Sequence, residues 1–368
     1  MPSADGSAAF SYEDLVAAYF DCRRTKRNTV NALAFEANLE RNLDRLHREL
    51  LEGSYRVGRS ICFVVTRPKP REVWAADFRD RVVHHLLYAK IGPRFERTFI
   101  ADSCACIKGR GTLYAAERLE RKIRSITQNW RRRAYYLKCD LANFFVSIHK
   151  PTLGLLLEAK VTEPFWVNLT KRVLFHDPRD DAEVQSPPAK LALIPPHKSL
   201  WRQDPEYGLP IGNLSSQFFA NVYLNELDQH VKHALRVRHY VRYVDDFVLL
   251  DESPQFLNFA RTDIEAFLPA RLGARLNPRK TVIQPLSRGV DFVGQVIKPW
   301  RRYVRRRTYN EAMNRVATMP EADRYESVQS YFGLFGQAPA SHEDRASLAK
   351  LVHLQGGSVN RDFTQTYR

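Results

Sequence analysis

Residues 242–250 read RYVDDFVLL, with two adjacent carboxylates, Asp245 and Asp246, held between runs rich in Val, Tyr and Phe. β-branched and aromatic residues favour pleated strands, so the pattern predicts a β-hairpin with its acids at the tip. Successive side chains on a flat strand point to opposite faces, whereas a tight turn brings both carboxylates toward one point. Hard divalent cations take carboxylate and phosphate oxygens as ligands. The segment therefore calls for an antiparallel strand pair at the centre of the fold and points to a metal site that works on phosphate chemistry.

The charge balance agrees with that reading. The 368 residues carry 57 Lys+Arg against 41 Asp+Glu, a net charge of +16. Such an excess favours a polyanionic partner, nucleic acid above all. The length suggests two or three subdomains with a sizeable core. A hydrophobic content of 44% excludes a globally disordered chain. The cysteines at 22, 62, 104, 106 and 139 are odd in number and irregular in spacing, which predicts reduced thiols. Cys104-x-Cys106 has no second pair to complete a zinc site. The opening segment MPSADGSAAF lacks the basic and apolar regions of a leader, and no run approaches the ~20 apolar residues of a membrane span. A cytoplasmic protein with no membrane partner is expected.

Helical periodicity covers 11–22 and 32–51, where Phe35, Leu39, Leu43, Leu46 and Leu50 recur at three- and four-residue steps. Residues 60–76 read as two short strands about a Pro-rich, charged turn. Residues 77–97 return to helix, with Val82, Val83, Leu86 and Leu87 inward. A strand over 135–145 stops near Asp140. Residues 176–207 are proline-rich and read as a loop. A long helix begins at Asn213, a second helix covers 254–270, and 276–283 and 290–297 read as strands. The last seventy residues are mostly helical in pattern. Strands grouped as hairpins among helices predict an α+β fold around an antiparallel sheet.

Five segments taken in order resemble the motifs of reverse transcriptases across residues 55–300. They are LKCDLANFFVSI (137–148), GLPIGNLSSQFFANVYLNELD (208–228), RYVDDFVLL, LNPRKT (276–281) and SRGVDFVGQVI (287–297). The resemblance implies a right-hand polymerase of fingers, palm and thumb, with an antiparallel palm sheet and a helical thumb. It divides the chain into an N-terminal helical extension (1–54), fingers (55–134), palm (135–298, carrying the insertion 176–207) and thumb (299–368). It implies an RNA-directed DNA polymerase that joins dNTPs to a primer by two-metal nucleotidyl transfer. Asp140, Asp245 and Asp246 match the catalytic metal ligands, with the Leu141 backbone alongside. The cofactor implied is a pair of Mg²⁺ ions, with Mn²⁺ as a substitute. The partners implied are a template or noncoding RNA, the cDNA and dNTPs.

The same resemblance assigns further residues. PKPREVWAADFRDRVVHHLL (68–87) is similar to a fingers hairpin, which puts Lys69 and Arg71 on the incoming triphosphate. Phe145 falls where the family carries a bulky side chain against the ribose 2′-hydroxyl. Ile211, Gly212 and Gln217 fall at the nucleotide, and Lys280 near the pyrophosphate. Lys108 and Arg110 in IKGRGT, and Arg301, Arg302, Arg305, Arg306 and Arg307 in RRYVRRR, are expected to bind nucleic-acid phosphates. Many reverse transcriptases carry Gln before the motif glycine and Ser-Pro after it. Here Ile211 and Ser216-Gln217 stand instead. That form is similar to the enzymes of diversity-generating retroelements, which copy a template-repeat RNA with errors at adenine and work with a small basic accessory protein. Antiphage-defence reverse transcriptases that use a noncoding RNA are the alternative. A maturase-like RNA-binding protein without catalysis is the third reading, and the intact aspartates speak against it.

Overall fold

The computed structural model describes residues 9–24, 29–67 and 69–367. The first eight residues of the opening segment, and Pro68 of the 60–76 turn, lie outside them. The chain resolves into two compact units. One comprises residues 1–100, 141–234 and 264–277, and the other 101–140, 235–263 and 278–368. Helices combine with mainly antiparallel sheets, the α+β class that the periodicities predict. None of the five cysteines is in a disulfide. Among the described residues no helix is long and apolar enough to cross a membrane.

In the first unit, strands Ser60–Val65 and Arg71–Ala75 pair antiparallel, with Val65 opposite Arg71 and Cys62 opposite Trp74. Helix Phe78–Glu96 follows. It is capped by Asp77, whose side chain accepts the Arg79 N–H at 2.9 Å. It buries Val82, Val83, Leu86 and Leu87, and packs on helices Tyr12–Arg23 and Leu214–Gln229. The helix expected over 32–51 is two helices, Val30–Glu36 and Leu39–Leu51. The chain leaves helical geometry at Asn38 (φ −135°), and the Asn42 side chain donates to the freed Phe35 carbonyl at 2.8 Å.

The proline-rich segment 176–207 is more than a loop. Its residues Ala182–Val184 form a third strand, parallel to Ser60–Val65, and Gln185 N–H extends the ladder to the Cys62 carbonyl at 2.9 Å. The buried carboxylate of Glu72 then accepts the Leu200 N–H at 2.8 Å and the Ser199 hydroxyl. Proline interrupts regular ladders, but these partners, more than a hundred positions away in sequence, supply the missing order.

The second unit is built on a four-stranded antiparallel sheet in the order His239–Tyr243, Asp246–Asp251, Tyr135–Asp140, Val282–Pro285. Helix Thr112–Ile126 lays Leu119, Ile123 and Ile126 into a core with Val241, Val248 and Leu250 of the sheet. Strands Val290–Phe292, Gln295–Lys298 and Arg301–Val304 form a second antiparallel sheet. Helices Arg306–Thr318, Glu321–Gly336 and His342–Leu354 close a separate core around Val316, Val328, Phe332, Phe335 and Leu348.

Asp80 ties the start of the first unit together. Its buried carboxyl takes the Tyr55 hydroxyl at 2.7 Å on one oxygen and the Gly58 N–H at 2.8 Å on the other. Burial outweighs both hydrogen bonds and pushes this carboxyl up to about 6. Because the folded value lies above the ordinary 3.8, the contribution of this group to stability is full below about pH 4 and is lost as pH rises through about 6. Asp80→Asn removes that dependence. Relative to wild type, the variant should gain on the order of 2–3 kcal/mol between pH 4 and pH 7, measured by urea unfolding at both values.

Candidate active site

The acidic hairpin forms as its sequence predicts. Tyr243 pairs with Asp246, leaving Val244 and Asp245 as a two-residue turn. Val244 has φ +54°. Two-residue hairpin loops call for positive φ at the first turn position, a conformation that costs a β-branched residue on the order of 1–3 kcal/mol. The turn is held from below by Arg242, which is 1% exposed. Its guanidinium donates to the Val244 carbonyl at 3.0 Å and to the Ser103 hydroxyl at 2.8 Å. Its backbone is bracketed by the 102–104 segment, with Arg242 N–H on the Asp102 carbonyl and Cys104 N–H on the Arg242 carbonyl, both at 2.9 Å. Sequence reasoning passed over Arg242. The available signal was a lone arginine inside an otherwise apolar strand.

The neighbouring strand Tyr135–Asp140 brings in the third acid, because its register sets Asp140 directly opposite Asp246. Two lysines sit on this pair. Lys280 Nζ lies 2.6 Å from Asp140 Oδ2. Lys138 Nζ lies 3.4 Å from Asp246 Oδ2 and donates to the Asp291 carbonyl at 2.7 Å. The Asp246 carboxyl is raised to about 6, first by burial and then by the charges of Asp140 and Asp245, against the opposing pull of Lys138. Its Oδ1 is buried and takes no hydrogen bond.

Hard oxygen donors, one of them a buried oxygen without a hydrogen-bond partner, suit a divalent cation of the Mg²⁺ type. Among the described residues no three His, Cys, Asp or Glu side chains close on one point as a ready-made cage. Such an ion is commonly held by one or two carboxylates together with water and substrate phosphates, so an open carboxylate pair is adequate.

The other expected residues fall into separate groups. Leu141 follows Asp140 and is buried. It bridges to Leu276, and the next N–H, of Ala142, bonds the Arg275 carbonyl at 2.8 Å. Phe145 is half-buried in the short helix Phe144–Ser147, and its carbonyl accepts the Leu209 N–H at 2.8 Å. The loop that holds Ile211 and Gly212 is fastened to strand Arg71–Ala75. Trp74 N–H donates to the Ile211 carbonyl at 2.7 Å, and Asn213 Oδ1 accepts the Ala76 N–H at 3.0 Å. Gly212 has φ +127°, and a Cβ there would meet Val73 Cγ1 at 2.9 Å and the Trp74 carbonyl oxygen at 3.0 Å. Close approach to this strand is therefore one reason for the glycine, beside the expected approach to a base pair. Lys69, Arg71 and Gln217 are exposed.

The basic residues divide by burial. Lys108, Arg301, Arg306 and Arg307 are exposed. Arg110 is half-buried and donates to the Ser103 carbonyl at 2.7 Å. Arg305 pairs with Asp291. Arg302 is 4% exposed and faces Glu120 at 3.2 Å and Gln295 at 3.0 Å. It is a structural ion-pair partner and is removed from the phosphate-binding set. A charge run read in one dimension cannot separate the strand residue that faces inward from those that face water.

Replacing Arg242 tests the support of the turn. Arg242→Met keeps the apolar stem and loses both donors. It should lower unfolding free energy by roughly 2–4 kcal/mol and speed hydrogen exchange at residues 243–246. Arg242→Lys should recover little, because one ammonium cannot reproduce the planar fork.

The family model described as reverse transcriptase (RNA-dependent DNA polymerase) matches residues 68–297, well over half of the chain. No curated protein matches the sequence. The match spans the strand that ends at Asp140, the acidic hairpin and the Lys280 turn, and by it this chain belongs to the reverse transcriptase family: a right-hand polymerase that makes DNA on an RNA template.

Proposed function

We propose that this enzyme copies a dedicated RNA into cDNA with low fidelity at template adenines, in the manner of a diversity-generating retroelement. In this reading Asp140, Asp245 and Asp246 are the metal ligands, with the Leu141 backbone beside them. The observation that carries the catalytic assignment is the facing of Asp140 and Asp246 across one strand pair, with Asp245 in the adjoining turn. Held by these residues, a pair of Mg²⁺ ions would make a primer 3′-hydroxyl more nucleophilic and would neutralise charge on the departing pyrophosphate. The protein's part is to hold the carboxylates together against their mutual repulsion, to aim them with a rigid turn and to deliver a proton. Residues 55–134, 135–298 and 299–368 serve as fingers, palm and thumb behind the 1–54 extension.

Lys280 is the proton donor in this scheme. Its ammonium is held 2.6 Å from Asp140, and an ammonium positioned at the reacting centre can give its proton to a leaving oxygen. Lys280→Ala should lower kcat by about 10²-fold with a smaller change in KM for dNTP, and Lys280→Arg should restore little of it, since guanidinium is a far weaker acid. Single-turnover incorporation kinetics measure both.

On the substrate side, Lys69 and Arg71 grip the triphosphate, and Phe145 excludes a ribose 2′-hydroxyl. Gly212 and Gln217 flank the nucleotide. Ile211 cannot make the side-chain hydrogen bond that glutamine makes at this place in many relatives, so the geometry of the nascent pair is policed less tightly. A small basic accessory protein and a structured template RNA complete the proposed assembly. The test is primer extension on a defined RNA with Mg²⁺ and four dNTPs, followed by sequencing. Extension should vanish in Asp245→Asn, errors should crowd at template adenines, and Ile211→Gln should thin them. Even-handed copying, or products unrelated to the template, would transfer the protein to the antiphage-defence reading. An error spectrum unchanged by Ile211→Gln would remove Ile211 from the explanation.

A further inference from the structure

Away from the aspartates, the second unit carries a concentration of positive charge. A hollow of about 270 Å³ is lined by Arg118, Arg121, Lys122 and Ser125 of helix Thr112–Ile126 and by Arg238 and His239 at the start of the hairpin's first strand. No apolar side chain is among these six. Residues 118, 121, 122 and 125 recur at helical spacing and so share one stripe of the helix. Of the acids on the same helix, Glu120 reaches Arg302 at 3.2 Å and Arg124 at 2.8 Å, while Glu117, one turn before Arg121, reaches Arg302 at 3.9 Å and accepts from Arg121 on its carbonyl at 3.4 Å. A buried carboxylate also reaches the basic stripe. Asp102, itself buried, pairs with Arg118 and with Lys122 at 3.0 Å. The hollow thus gathers four cationic side chains, of which Arg121 and Arg238 are exposed.

The place of the hollow in the sheet separates it from the chemistry. His239 pairs with Leu250, and Tyr243 with Asp246, on the same two strands. Four residues at about 3.3 Å each put the His239 end roughly 13 Å along the strand from Asp246. Asp102 also braces the cluster: from within the protein it holds Arg118 and Lys122 in place, which lowers the entropy they would lose on meeting a ligand. A wet hollow of guanidinium, ammonium and hydroxyl groups recognises phosphate oxygens, for which the planar fork of arginine is the preferred partner.

We propose that this hollow is a second nucleic-acid site, which binds the phosphodiester backbone of the template RNA where it runs beyond the primer duplex. The inference rests on the reading of the enzyme as one that works with a long, dedicated RNA. Its role is anchorage: it holds the RNA without touching the reacting atoms.

The double variant Arg121→Glu/Arg238→Glu, made in the full chain, tests it against Arg121→Gln/Arg238→Gln as the milder change. Binding is followed by fluorescence anisotropy over a salt series. The probes are a primer–template with a long single-stranded RNA overhang, one with a DNA overhang of the same length, and one with a minimal overhang. For the long RNA, affinity should fall by about tenfold or more, and the slope of log K against log salt should shrink by about 1–2, near the value for two lost single-strand phosphate contacts. The Gln pair should show a smaller loss of the same kind. Binding and extension of the minimal substrate should be unchanged, which also reports an intact fold. A loss on both long overhangs supports a phosphodiester site open to either strand, and a loss on RNA alone identifies the template. Unchanged affinity and slope for the long RNA, a loss confined to the DNA overhang, or an equal loss on the minimal substrate would overturn the proposal. Because extension of the minimal substrate is read separately, failure of the anchor and failure of the polymerase assignment are distinguishable.

Discussion

Two carboxylates set opposite each other on adjacent antiparallel strands repel, and the centre of this enzyme is organised around that repulsion. The Asp140–Asp246 register brings like charges to neighbouring Cα positions, and Asp245 adds a third within the turn. Opposed like charges destabilise a strand pair. Burial is what raises the Asp246 carboxyl, and the nearby Lys138 more than offsets the push of the other two acids. The sheet keeps this geometry because cations are distributed around it: Lys280 on one member of the pair and Lys138 on the other.

The turn that completes the arrangement is also unfavourable in isolation. Val244 occupies a backbone region that suits glycine, and the hydrogen bond from Arg242 to its carbonyl helps hold it there. Arg242 connects this strained turn to the 102–104 segment through side chain and backbone together. Side chain and backbone together thus fix the turn in one geometry. Strain, burial of charge and like-charge contact all fall on the same few residues, as expected where function overrides local preference.

Much of this was legible in the sequence. The hairpin is written in RYVDDFVLL by its β-branched and aromatic composition, and the helix Phe78–Glu96 by its apolar spacing. The order of five short segments carried the likeness to reverse transcriptases, because each places a chemical group at a defined point of one fold. Other features were not legible. One periodic stretch divides into two helices at Asn38, because the Asn42 side chain donates to the Phe35 carbonyl and makes the break inexpensive. Residues 176–207 look like a loop until Glu72 and the edge of the Ser60–Val65 strand provide their partners. Arg302 looks like its neighbours in RRYVRRR, yet alternation along a strand turns it inward to Glu120.

By itself, the sequence determined the fold class, the polymerase family and the places of three aspartates in its motifs, because those follow from residue type, local period and order along the chain. Only the tertiary structure decided which cations steady those aspartates, which arginines are buried ion-pair partners and which face water, and where basic residues 118–122 and 238–239 converge. The physical reason is that charge and hydrogen-bonding capacity belong to each residue, whereas the partner that satisfies them is chosen by strand register and helix packing between segments remote in the chain.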